Sequence, residues 1–175
     1  MTLLLWVLAC ARPPAAVTAL AEAPEVPELP GFVEGEWVVV AAQLDGAVFD
    51  REAWTERQAP GAIGGHRSWL FTGGAVRSRT QAVFDLPDGR ATCYADAHAA
   101  FSVAAIDDHR WWLVFDHPSA AETTVAEEPP IGCQAVIEAG DYELQRLLDP
   151  PGAWRLISPL GEVEDLREES QPSGS

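Results

Sequence analysis

Four histidines, His66, His98, His109 and His117, and three cysteines, Cys10, Cys93 and Cys133, are the side chains best suited to metal ligation, proton transfer or thiol chemistry in this 175-residue chain. None falls in an H-E-x-x-H or C-x-x-C spacing. In an extended segment alternate side chains share a face, so Asp96 and His98 would stand together, and Asp116-His117 follows the tryptophan-rich run RWWLVFD. A metal or acid–base site can be assembled from such pairs. With 27 Asp and Glu in the chain, however, Asp–His neighbours are expected on the surface without any function. No G-x-S-x-G elbow, Gly-rich phosphate loop or redox C-x-x-C is present, so no catalytic residue, metal ligand or cofactor is assigned.

Charge narrows the partners. Eleven arginines, no lysine and 27 acidic residues leave a formal charge of −16, which repels phosphate backbones and excludes nucleic acid as a natural partner. The same surface would attract a cationic protein partner. Seven Trp, two Tyr and six Phe within 47% hydrophobic residues supply enough apolar area for a core. The length suits one domain.

The apolar run Leu3–Ala9 is too short to span a bilayer, which takes about 20 helical residues. Val7-Leu8-Ala9-Cys10 resembles the lipobox of bacterial lipoproteins: aliphatic at −3, small at −1, then the cysteine that is acylated after cleavage. That resemblance implies a signal peptide over residues 1–9, a lipidated Cys10 and a membrane held through the lipid. Residues 11–30 carry Pro13, Pro14, Pro24, Pro27 and Pro30 without strand or helix periodicity, and so read as a tether. Ala11 after the lipidated cysteine implies, by the same resemblance, an outer-membrane location in a bacterial cell envelope, facing the periplasm or the outside.

Positioning of the remaining residues falls to strands. From residue 31 to 168, short runs alternate with period 2 and are cut by turn residues such as Pro87-Asp88-Gly89 and Pro159-Leu160-Gly161. Candidate strands are Glu36–Ala42, Ser68–Thr72, Val76–Asp85, Ala91–Asp96, Phe101–Ile106, Arg110–Phe115, Gln134–Glu138, Tyr142–Leu148, Trp154–Ser158 and Glu162–Arg167. An all-β antiparallel up-and-down meander closed into a barrel disposes of the open edges, with a two-sheet sandwich as the alternative. Two stretches break the pattern. Val48–His66 has room for a short helix near Arg51–Arg57, and Pro118–Ile131 reads as an acidic connection. Residues 169–175 form a polar tail.

Both ends of the domain carry a family likeness. Gly35-Glu36-Trp37 before a strand looks like the G-x-W opening of the lipocalin and calycin superfamily, and the run from Tyr142-Glu143-Leu144 through Ile157-Ser158-Pro159-Leu160-Gly161-Glu162 to Leu166-Arg167 is similar to the closing strands of bacterial lipocalin-like lipoproteins. The resemblance implies that Gly35, Trp37 and Arg167 close the barrel base, with the arginine stacked on the indole. If Cys10 is lipidated, Cys93 and Cys133 are left as an even pair for a disulfide in an oxidising compartment. The resemblance also implies a small hydrophobic ligand. Phe71, Phe84, Tyr94, Phe101, Trp112 and Trp154 fall on successive strands and are the residues that would line its cavity, although the same side chains can instead fill the core. The expected function is that of an envelope lipoprotein that binds a small apolar ligand or acts as a binding module. The alternative is an acidic lipoprotein with a filled core that engages a cationic protein.

Overall fold

A computed structural model describes residues 34–125 and 131–168. The segments expected to be a signal peptide (1–9), a lipidated Cys10 with its tether (10–30) and a polar tail (169–175) lie outside the described residues. The turn signals divide the chain into β1 (Gly35–Leu44), β2 (Ala47–Asp50), α1 (Arg51–Gln58), β3 (Gly64–Thr72), β4 (Ala75–Leu86), β5 (Gly89–Asp107), β6 (Arg110–Asp116), β7 (Ala120–Val125), β8 (Ile131–Val136), β9 (Gly140–Arg146), β10 (Ala153–Ile157) and β11 (Val163–Glu168). Eight of these strands form one antiparallel barrel in the order β1-β3-β4-β5-β6-β9-β10-β11, closed because β11 pairs back onto β1 from Trp37↔Glu168 to Gln43↔Val163. Closure removes the two edges that a meander would otherwise leave open. The all-β barrel is thus the architecture, and the sandwich is not. The short β2 extends β1 as a hairpin.

The period-2 pattern aims alternate side chains inward. On β4, Val76, Ser78, Thr80, Ala82 and Phe84 are buried, and on β5 Cys93, Ala95, Ala97 and Ala99 are. Inside the barrel, aromatic rings meet stacked, tilted or edge to face. Trp69 lies 6.3 Å from Phe71 and 6.2 Å from both Phe115 and Tyr142, while Trp154 lies 6.3 Å from Trp37 and 5.5 Å from Trp111. These rings fill the interior as a core.

Three sequence expectations change. Ala91–Asp96 and Phe101–Ile106 are parts of one 19-residue strand, because the residues between them contain no breaker and the alternation runs through. The acidic connection Pro118–Ile131 includes β7 and the first residue of β8, which pair only with each other, Ala120↔Val136 to Val125↔Ile131. Its strand content was masked by a composition typical of a solvated loop. Arg167 does not sit on Trp37: it is exposed opposite Val38 and Ala153, one residue out of phase with the buried Leu166, whereas Trp37 is buried edge-on to Trp154.

The hairpin β7–β8 is fastened to the barrel by other means. Cys93 on β5 is bonded to Cys133 on β8, with Cα atoms 6.0 Å apart. Ser119 N–H donates to the His98 carbonyl (2.9 Å), and His98 N–H donates to Ser119 Oγ (2.7 Å). Cys133, Ala135 and Ile137 join the same buried cluster as the alanine face of β5. Gly65 lets β3 pass beneath the helix: its φ is +139°, and a Cβ there would overlap the Gln81 carbonyl oxygen and lie 2.9 Å from Thr55 Cγ2.

The Cys93–Cys133 bond closes 40 residues of chain. By the chain-entropy relation, Cys93→Ala/Cys133→Ala should lose about 3–4 kcal/mol, read as a lower urea midpoint with a steeper slope, because the unfolded chain without the cross-link is less compact.

Candidate functional site

A polar layer interrupts the aromatic interior at the end of the barrel where β3 and β11 begin. The helix α1 closes this end. Asp50 caps it by accepting from Ala53 N–H (2.9 Å), Glu52 and Arg57 suit the helix dipole, and Trp54 and Thr55 form its buried face. Trp54 packs on Phe49 at 5.5 Å. Its indole N–H donates to Glu164 Oε1 (2.7 Å), and the indole N–H of Trp69 donates to Glu164 Oε2 (2.6 Å). Glu164 is 3% exposed. A carboxylate this deep must be compensated, and Arg67 supplies the charge, its Nη1 lying 3.2 Å from Glu164 Oε1.

Arg67 is 5% exposed, and each of its nitrogens has a partner. Nε donates to Ser78 Oγ (3.1 Å), Nη1 to Glu162 Oε1 (3.4 Å) besides Glu164, and Nη2 to the Val136 carbonyl (3.0 Å). The guanidinium carbon lies 4.9 Å from the centre of the Trp69 ring. Through the Val136 carbonyl, the hairpin becomes part of the wall.

Above this layer is a cavity of about 340 Å³, lined by Arg57, Gln58, Arg67, Trp69, Gln134, Val136, Glu138, Tyr142, Leu156, Ser158, Glu162 and Glu164. Burial, reinforced by Glu164 and only partly opposed by Arg67, pushes the Glu162 carboxyl up to about 7. Burial likewise raises the Tyr142 hydroxyl. That hydroxyl accepts from Glu138 N–H at 2.9 Å. Among the described residues, Glu138 Oε2 is buried without a hydrogen-bond partner.

The six aromatic candidates lie elsewhere. Phe71, Phe84 and Trp154 are fully buried core, and Phe101 packs at its edge, 5.9 Å from Phe71. Tyr94 and Trp112 are 50% and 41% exposed on the outer face, so they are removed from the interior set. Strand phase decides this: Tyr94 alternates with the inward Cys93 and Ala95, and Trp112 with Trp111 and Leu113. The aromatic residues that do meet the cavity are Trp69 and Tyr142. A sequence signal existed for the polar ones. Arg67 shares its phase with Trp69 and Phe71, and Glu164 with Leu166, which places charges on core-facing positions.

The Asp–His pairs belong to the surface. Arg79 takes both Asp96 oxygens, Nε at 2.8 Å and Nη2 at 3.0 Å, holding that carboxyl below its usual range, while His98 is exposed beside it. Asp116 and His117 are exposed at a turn where His117 has φ +50°. Among the described residues, no three His, Cys, Asp or Glu side chains converge as a metal-binding group. No protein-family model, curated protein or solved structure matches the chain.

Glu164→Ala should cost about 3–5 kcal/mol, because it leaves two buried indole N–H groups without their acceptor and Arg67 with only the longer Glu162 contact as its charge partner. Glu162 titrates with the opposite sense. Its folded value near 7 exceeds the ordinary 4.5, so the folded chain holds the extra proton and stability falls as pH rises from about 4.5 to 7. Glu162→Gln should remove that slope, raising stability at pH 8 by on the order of 1–3 kcal/mol in urea titrations run across this range.

Proposed function

We propose that this chain is a binding module, carried on a lipid-anchored tether in a bacterial envelope, which receives a small polar solute in the cup at the helix end of its barrel. One observation carries this reading: the barrel interior is packed with aromatic rings, and the cavity described above is bounded by charged and hydrogen-bonding side chains. An apolar ligand of the kind that the lipocalin resemblance implies would need the space that Trp69, Phe71, Phe115 and Tyr142 occupy. It would also have to desolvate Glu138 and Glu162 without replacing their hydrogen bonds, which costs more than its burial returns.

The cup has the features of a recognition site rather than a reaction centre. Among the described residues, its most deeply buried ions, Arg67 and Glu164, hold each other and the walls in place. Groups at the rim remain for a solute to meet. Small polar-lined cavities of this kind bind by a few directed hydrogen bonds within a fixed frame. The acidic surface favours a second reading, capture of a cationic protein, and the formal charge of −16 is what supports it.

Native mass spectrometry of the chain purified from membranes tests the proposal. The expected spectrum has a mass that begins at acylated Cys10 and an adduct of a water-soluble molecule. Retention of a fatty acid or other lipid in the barrel would overturn the polar-cup reading, and an unacylated mass beginning at Met1 would overturn the anchor.

A further inference from the structure

The donors and acceptors of the cup are unequally used. All Arg67 nitrogens are engaged with Ser78, Glu162, Glu164 and Val136, and both Glu164 oxygens are engaged by indole N–H groups. What is left over is acceptor capacity. Among the described residues, Glu138 Oε2 is buried and unpartnered, and the Glu162 carboxylate receives one long bond, 3.4 Å from Arg67. Three carboxylates, Glu138, Glu162 and Glu164, line the cavity against Arg67 and Arg57. Arg57 is exposed at the rim, about 6 Å from the Phe49 and Trp54 rings, where water screens it.

Resting on the polar-cup reading, we infer that the solute presents a primary ammonium or guanidinium group, which enters the cavity and donates to the Glu138 and Glu162 carboxylates. Such a head has several N–H donors and no acceptor, the complement of what the cup leaves free. A carboxylate or phosphate would meet two acidic side chains with Arg67 already committed. A neutral amide would satisfy hydrogen bonds but leave the acidic excess uncompensated. Burial is the main reason that the Glu162 carboxyl is raised, and the neighbouring Glu164 and Glu138 carboxylates add to it against the opposing Arg67 and Arg57.

The cavity volume, about 340 Å³, admits a short chain behind the head, and the head itself can belong to a free amine or to an arginine side chain of a peptide. Isothermal titration of the full-length chain at pH 8 in 0.5 M NaCl, which suppresses non-specific attraction to the acidic surface, distinguishes these sources. The probes are butylamine, agmatine, an acetylated Ala-Arg-Ala amide, butyramide and butyrate. Agmatine or the arginine peptide should bind at least tenfold more tightly than butyramide, with butyrate weaker still; the tighter of the two cationic probes identifies the source. Glu138→Gln and Glu162→Gln should each weaken the cationic probe tenfold or more, while Asp88→Asn, on the exposed β4–β5 turn, should leave it unchanged. Near-UV circular dichroism of the tryptophans checks that each variant is folded. Butyramide or butyrate binding as tightly as the cations overturns the inference and leaves the polar cup standing. No binding by any probe overturns both.

Discussion

The carboxylate of Glu164 is the point on which the rest of the molecule turns. It stands on β11, at the closure of the barrel, and its two oxygens accept from Trp54 on α1 and Trp69 on β3 while Arg67 neutralises it. One side chain therefore joins the last strand, the helix and the third strand. The cost of placing a charge there is high, since removing a carboxylate from water takes several kcal/mol that only excellent geometry restores. Short charge-assisted bonds from two indoles and a guanidinium meet that requirement. The outcome is directional. Hydrophobic packing alone would let α1 slide across the barrel end, whereas two indole N–H groups converging on one carboxylate fix its position.

From that anchor the walls of the cup follow. Arg67, held by Glu164 and Ser78, projects Nη2 to the Val136 carbonyl, so the same charge network sets the height of the β7–β8 hairpin. The disulfide fixes its other side, and the small buried face of Cys93, Ala95, Ala97 and Ala99 gives the hairpin room to lie close. Larger side chains on β5 would lift it away and open the cavity to solvent. Cavity shape is thus decided by residues with no free polar group.

Much of the fold was legible in the sequence because strand periodicity is a local property. Turn residues such as Pro87-Asp88-Gly89 mark strand ends, and the inward phase of β4 and β5 can be read directly from their alternation. Closure was legible as a requirement, but not its details. Arg167 and Trp37 matched a familiar pair in type and position, yet strand phase sends one outward and one inward. The cation–aromatic contact forms instead between Arg67 and Trp69, two residues apart on one strand. Tyr94 and Trp112 mislead for a related reason, because hydrophobicity suggested the interior while phase put them outside. The cup was the least legible part. Its side chains come from α1, β3, β8, β9, β10 and β11 and from the loops beside them, and no local pattern records that these segments converge.

Stability alone does not account for the composition of the cup. Arg67 needs one carboxylate to neutralise it, and Glu164 meets that need with good geometry. Glu162 and Glu138 are then in excess, and burial together with the nearby Glu164 and Glu138 carboxylates raises the cost of ionising Glu162. In a core concerned only with folding, isosteric uncharged side chains at these positions would remove that penalty, as replacing buried ions with neutral groups often does. The excess lies on the cavity side of the network, where a bound cation would complete the charge balance that the protein leaves open. A frame made rigid by a disulfide, a helix cap and paired indoles, with its unmatched charge confined to one opening, has the organisation of a receptor for a complementary group.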